Sequence, residues 1–177
     1  MTKSWKRLLE SSHKLWTTFD TRTTRKFVGL NSLKLHLKRS NYTLDRAVIS
    51  MKANFDVKRM QYLTRTCQKL TYLEICGSGV IGDSLISALP LAKSLQTIVC
   101  GANCEISLQA VQSVLKICQS TLLEATFLRV KGNRMGFLPN QWPELHTLRS
   151  LSLRSSGDVM LDVVSSLHHT LHQIFES

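Results

Sequence analysis

Apolar residues recur along this chain in a six-residue frame, L-x-x-L-x-L, with any apolar residue allowed at the three key places. The frame occurs as Leu44/Ala47/Ile49, Leu70/Leu73/Ile75, Leu95/Ile98/Cys100, Leu122/Ala125/Phe127 and Leu148/Leu151/Leu153. Its first positions are 26, 25, 27 and 26 residues apart. Within each frame the later positions alternate, as a short strand with one covered side does. The pitch predicts parallel, adjacent strands at 70–76, 95–101, 122–128 and 148–154.

Helical spacing fills the intervals. Val57, Met60, Leu63 and Cys67 follow Asp56, a residue suited to an N-cap; Leu85, Ile86 and Leu89 follow Asp83; Leu108, Val111, Leu115 and Cys118 follow Ser107. Met160, Val163, Val164, Leu167, Leu171 and Ile174 form a further amphipathic pattern after Asp158. Helices are therefore expected near 57–68, 84–93, 107–119 and 159–174. The stretch KGNRMGFLPNQWP, 131–143, holds two Gly and two Pro and is expected to cross without a long helix. Before the first frame, Leu30, Leu33 and Leu37 share a helical face, and Leu15-Trp16-x-x-Phe19-Asp20 reads as a short first strand. Trp5, Leu8 and Leu9 share another helical face.

Gly77, Gly79 and Gly82 spell G-x-G-x-x-G, the dinucleotide-binding fingerprint in its minimal form. A nucleotide site also needs an acidic residue closing the next strand, about 20 positions on. Glu105 is the nearest candidate and falls in a loop of the predicted pattern. The glycines are therefore read as a structural turn between strand and helix.

A strand–turn–helix unit of this length resembles the leucine-rich repeat. CQKLTYLEI and CQSTLLEATF look like its cysteine-containing subtype, over residues 44–175. The N-terminal W-x-x-L helix and L-W-x-x-F-D strand resemble the tail of an F-box domain, and the whole chain resembles fungal F-box/leucine-rich-repeat proteins. The resemblance implies an α/β fold, a leucine-rich-repeat solenoid with a curved parallel sheet and helices on the convex face. It divides the chain into a remnant of the F-box tail with the first strand, 1–20, and an array of five to six repeats, 21–177. It implies a non-enzymatic interaction module, the substrate-recognition subunit of a Skp–cullin–F-box ubiquitin ligase or a truncated form of one. The alternatives are a generic repeat scaffold or a nucleic-acid binder using the basic N-terminal third. The early F-box helices with their L-P-x-E start are missing before Trp5, so weak or absent docking on a Skp-type adaptor is expected, with Trp5, Leu8 and Trp16 facing the adaptor or capping the first strand.

On that repeat pattern, a protein substrate lies on the concave face. The residues assigned to it are Arg46, Tyr72, Glu74, Thr97, Glu124 and Thr126, together with Ser150, Ser152 and Arg154. Tyr and Arg are residue types enriched in binding hot spots.

Charge adds one feature. Residues 1–69 carry a net +12 and residues 70–177 a net −1, within a total of +11. Such a third can attract an acidic partner or nucleic acid. Lys34, Lys38 and Arg39 gather at helical spacing, but exposed aromatics for base stacking are not interleaved with them, so nucleic acid is not expected as the partner. Cysteines 67, 76, 100, 104 and 118 form no CxxC pair, and Cys100-x-x-x-Cys104 has no histidine close in sequence. They are read as core residues in a reducing compartment. His168 and His172 share a helical face but lack a placed third ligand. No G-x-S-x-G elbow is present. The expectations are no catalytic residues, no metal, no cofactor, no membrane span, and a cytoplasmic or nuclear location.

Overall fold

The computed structural model describes residues 12, 16–22, 29–50, 57–77, 79–101, 103–131, 143 and 145–155. The elements expected around Trp5 and Leu8, at 159–174, and across most of 131–143 lie outside these residues, as do His168 and His172.

Eight strands and four helices alternate along the described chain. They are β1 (Thr18–Asp20), α1 (Leu30–Arg39), β2 (Arg46–Ser50), α2 (Val57–Thr66), β3 (Tyr72–Cys76), β4 (Gly79–Val80) and α3 (Gly82–Ala88). After a 3-10 turn, Leu89–Leu91, come β5 (Thr97–Cys100), β6 (Cys104–Ser107), α4 (Leu108–Ile117), β7 (Glu124–Lys131) and β8 (Ser150–Ser155). The hydrophobic pattern explains most of them. In α1, Leu33 and Leu37 are fully buried one turn apart. In α2, Met60, Leu63 and Thr64 make the covered face. The α4 helix starts where Ser107, its N-cap, accepts a hydrogen bond from the Ala110 N–H at 3.2 Å.

All strand pairs are parallel. Thr18, Arg46, Tyr72, Thr97, Glu124 and Ser150 lie side by side across β1, β2, β3, β5, β7 and β8. The four strands expected from the pitch are thus adjacent in one sheet, in the register that the frames predict. Each begins the same way, with two successive N–H groups donating to one carbonyl of the preceding unit: Thr71 and Tyr72 to Asp45, Gln96 and Thr97 to Thr71, Leu123 and Glu124 to Gln96. Frame residues from Leu44 to Leu122 are buried in one continuous core, into which α1 to α4 also point their apolar sides.

The architecture is nevertheless not the horseshoe solenoid of leucine-rich repeats, and the F-box resemblance goes with it. The parallel sheet curls into a half-barrel against which the helices pack, as a single small α/β domain. The departure is visible at β7. Its first half, Glu124–Phe127, pairs with β5 and β8. Beyond a register shift between Phe127 and Val130, Val130 and Lys131 pair with β6, which pairs in turn with β4. One long strand therefore pairs with three others, β5, β8 and β6, and a second short run of strands departs from the single row. A pitch near 26 residues records strand–turn–helix units and says nothing of this fork.

The glycine motif is also placed differently from the sequence pattern. Gly77 adopts φ 101°, the left-handed region that favours glycine. Gly79, however, is extended in β4 and pairs with Cys104, and Gly82 opens α3. A strand therefore intervenes where a dinucleotide fingerprint needs one tight turn from strand to helix. Gly77→Ala is expected to destabilise the domain by about 1 kcal/mol or more, read as a lower urea midpoint. Gly79→Ala should cost less, and the reverse order would overturn this placement.

Candidate functional site

The register gathers part of the expected set on the sheet face opposite to the frame residues. Arg46 and Tyr72 are neighbours in one row, and Asp20, Val48 and Glu74 are neighbours in the next. Glu74 is the hub. The Tyr72 hydroxyl donates to it at 2.9 Å, Arg46 reaches the same carboxylate oxygen at 3.4 Å, and Arg22 approaches the other at 3.8 Å. The Arg46 guanidinium also lies over the Tyr72 ring, 3.6 Å from its centroid. Arg22 in turn forks onto Asp20, with Nη2 2.6 Å from Oδ2.

This network has a structural purpose. Val48 is on the same face, between Asp20 and Glu74, yet has 0% exposure. Arg22 bridges the two carboxylates that flank it, so the ion pairs roof an apolar residue. The Arg22 hydrogen bonds hold the Asp20 carboxyl below its usual range, against the opposing effect of burial. Burial, and then the hydrogen bond to Glu74, raise the Tyr72 hydroxyl. Both arginines meet acids and both acids meet arginines, leaving little unmatched charge for a ligand. Asp20 and Arg22 were absent from the expected set because the L-x-x-L-x-L frame does not extend to β1.

The other expected residues continue the rows without joining the network. Thr97, Glu124 and Ser150 follow Tyr72, while Thr126 and Ser152 follow Glu74. Arg154 is exposed near the end of β8. The structure lacks the concave leucine-rich-repeat surface that was to hold a protein substrate, so the assignment of that substrate to it is withdrawn. Trp16 is half-buried, with His36 edge-on at 5.4 Å and the Arg39 guanidinium at 4.9 Å. It is engaged by α1, and desolvation in this apolar setting lowers the His36 pKa.

The thiols are poor candidates for chemistry. Burial raises the Cys67 pKa to about 12 and those of Cys104 and Cys118 to about 11. It also raises Cys100 strongly. A nucleophilic or metal-binding cysteine needs the opposite shift. Among the described residues, no three His, Cys, Asp or Glu side chains come together as a metal site.

Unmatched charge is concentrated on α1 and α2. Neither helix contains an acidic residue, and from 29 to 50 and 57 to 71 the sole acid is Asp45. Lys34 and Lys38 are exposed one turn apart on α1; Lys58 and Arg65 are exposed two turns apart on α2, and Lys69 is exposed just beyond it. The Lys34 ammonium lies 5.6 Å from the centroid of the Tyr62 ring on α2, which joins the two basic surfaces into one. Of the three cations singled out by helical spacing, Arg39 turns toward Trp16, while Lys34 and Lys38 remain exposed. The contribution of α2 was not legible from spacing, since the Lys34–Tyr62 contact is tertiary.

Comparison with protein-family models, curated proteins and solved structures returns no match. With the half-barrel fold, that leaves the role of a Skp–cullin–F-box substrate receptor without support. Among the described residues no helix is long and apolar enough to cross a membrane.

Proposed function

We propose that this chain is a non-catalytic binding domain whose basic helical face, built by α1 and α2, holds an acidic macromolecular partner. The observation that carries the reading is the joined surface of Lys34, Lys38, Lys58 and Arg65 on two helices without an acid. Like charges gathered in this way repel one another, and an anionic partner relieves that repulsion while the basic field speeds its approach. The sheet face offers no comparable excess, because Arg22 and Arg46 already face Glu74 and Asp20 and leave Arg154 as a lone exposed cation near its end. The raised thiol pKa values support a binding role over nucleophilic chemistry.

The test is fluorescence anisotropy of the full chain with a labelled 20-residue oligoglutamate. Binding is expected at low ionic strength and should weaken steeply as salt rises toward 300 mM. Reversing Lys34, Lys38 and Lys58 to Glu should weaken it by about tenfold or more, with the circular dichroism spectrum unchanged. Undiminished binding by the triple variant, or none by the parent chain, would overturn the reading.

A further inference from the structure

The exposed large apolar side chains of the described residues all belong to the same stretch as the basic face: Leu30, Leu35, Tyr42 and Val57. None is on α3, α4 or a strand. Leu35 is the most exposed, at 51%. Helical geometry places it opposite the buried Leu33 and Leu37, so it stands on the crest of α1, beside Lys34 and within a turn of Lys38. Beyond Lys34 the surface continues onto Tyr62, whose ring carries that ammonium on its face. The crest thus alternates cation, apolar side chain, cation, aromatic ring.

We propose that the acidic partner is a protein segment in which acidic and apolar residues are interspersed, bound across α1 and α2 with an apolar side chain seated against Leu35. This rests on the proposed binding role of the basic face and specifies its occupant. The complementarity is twofold. Carboxylates meet Lys34, Lys38, Lys58 and Arg65, and an apolar side chain shares with Leu35 the removal of surface from water. A phosphate backbone satisfies the first condition but has no apolar group for Leu35. Stacked bases would call for a row of exposed rings, and this stretch offers the single exposed ring of Tyr42, since Tyr62 is engaged by Lys34 and Trp16 by His36 and Arg39. A lipid surface would require a helix to lay down its apolar stripe, and the stripe of α1 is already committed to the core through Leu33 and Leu37.

Three labelled probes of equal length, 20 units, separate the possibilities: oligoglutamate, a peptide of alternating Glu-Glu and Leu pairs, and a single-stranded RNA. The mixed peptide is expected to bind about tenfold tighter than oligoglutamate despite its lower charge. Leu35→Ser should remove most of that preference and leave oligoglutamate affinity unchanged; because Leu35 is outside the core, the variant should keep its circular dichroism and urea midpoint. Equal affinity for the two peptides, or a preference that survives Leu35→Ser, would overturn the inference while leaving the basic face as the binding surface. Tighter binding of RNA than of either peptide would overturn it in favour of nucleic acid. Mixed-peptide binding that ignores reversal of Lys34, Lys38 and Lys58 would instead defeat the basic-face reading itself.

Discussion

Replacing Phe127 by Ala is expected to lower the unfolding free energy by about 3–5 kcal/mol. Among the described residues Phe127 is the largest fully buried side chain, with 0% exposure, and β7 is the strand at which the sheet forks. Its backbone pairs with Cys100 on one side and Leu153 on the other, so the cavity left by truncation would open between three strands. Parallel strands held in register on both sides cannot close inward freely, which favours the upper part of that range. Domains of this size usually have about 5–15 kcal/mol in all, so the urea midpoint should fall by a large fraction. A loss below about 1 kcal/mol would mean that the fork is not the packing centre described above. Phe127→Leu is the control, and should retain much of the stability.

The second large effect is expected at Thr64. This residue is fully buried on α2, and its hydroxyl lies 3.0 Å from the Ala88 carbonyl at the end of α3 and 3.0 Å from the Met60 carbonyl one turn back. A hydroxyl has one proton to donate. The Ala88 carbonyl ends α3, where the chain tightens into the 3-10 turn Leu89–Leu91, and the Thr64 hydroxyl reaches it from the neighbouring helix. Thr64→Val keeps the shape and removes the proton, so a buried carbonyl loses a donor. The expected cost is about 1–3 kcal/mol, with Thr64→Ser retaining the bond and losing less. Amide exchange should accelerate in α3 before it does in β3 or β5, because the lost bond is the shorter and buried one of two that tie the helices, the other running from Gln61 Nε2 to the Ser87 carbonyl at 3.4 Å. Uniform acceleration through the sheet would argue against that tie.

The strands were legible because both of their signals are local. Alternation within a frame tells which side chains are covered, and the constant pitch tells which strands are neighbours; Leu73 and Ile75 are buried, and the register of Leu73 with Ala47 and Ile98, and of Ile75 with Ile49 and Cys100, follows. Leu30 shows the limit of helical spacing. It matches Leu33 and Leu37 in periodicity, but as the first residue of α1 it lies beyond the core and is exposed. The curl of the sheet was not legible. It depends on Gly79–Val80 and Cys104–Ser107 finding each other, and on the far end of β7 finding β6, through pairings too short to impose a pattern on the sequence. A resemblance based on pitch consequently led to the wrong architecture. The basic face was half legible: lysines one turn apart announce themselves on α1, whereas their union with Lys58 and Arg65 depends on how two helices pack. Val48 departs from simple alternation in the opposite sense, being fully buried although it shares a face with Arg46 and Glu74.

The spacing of strand partners also bears on how the chain acquires this structure. Every paired residue lies between 24 and 28 positions from its partner. Except at β7, a strand needs one neighbour completed one unit earlier, and even there the two earlier partners, β5 and β6, precede it. A ribosome releasing the chain from its N-terminus therefore presents each new strand to a template already available. Loop closure is short and nearly equal at every step, which keeps the entropic barrier low for an all-parallel sheet. The vulnerable interval comes after β5 has emerged and before β7 has, when one edge of the growing sheet is open and its apolar face is half covered.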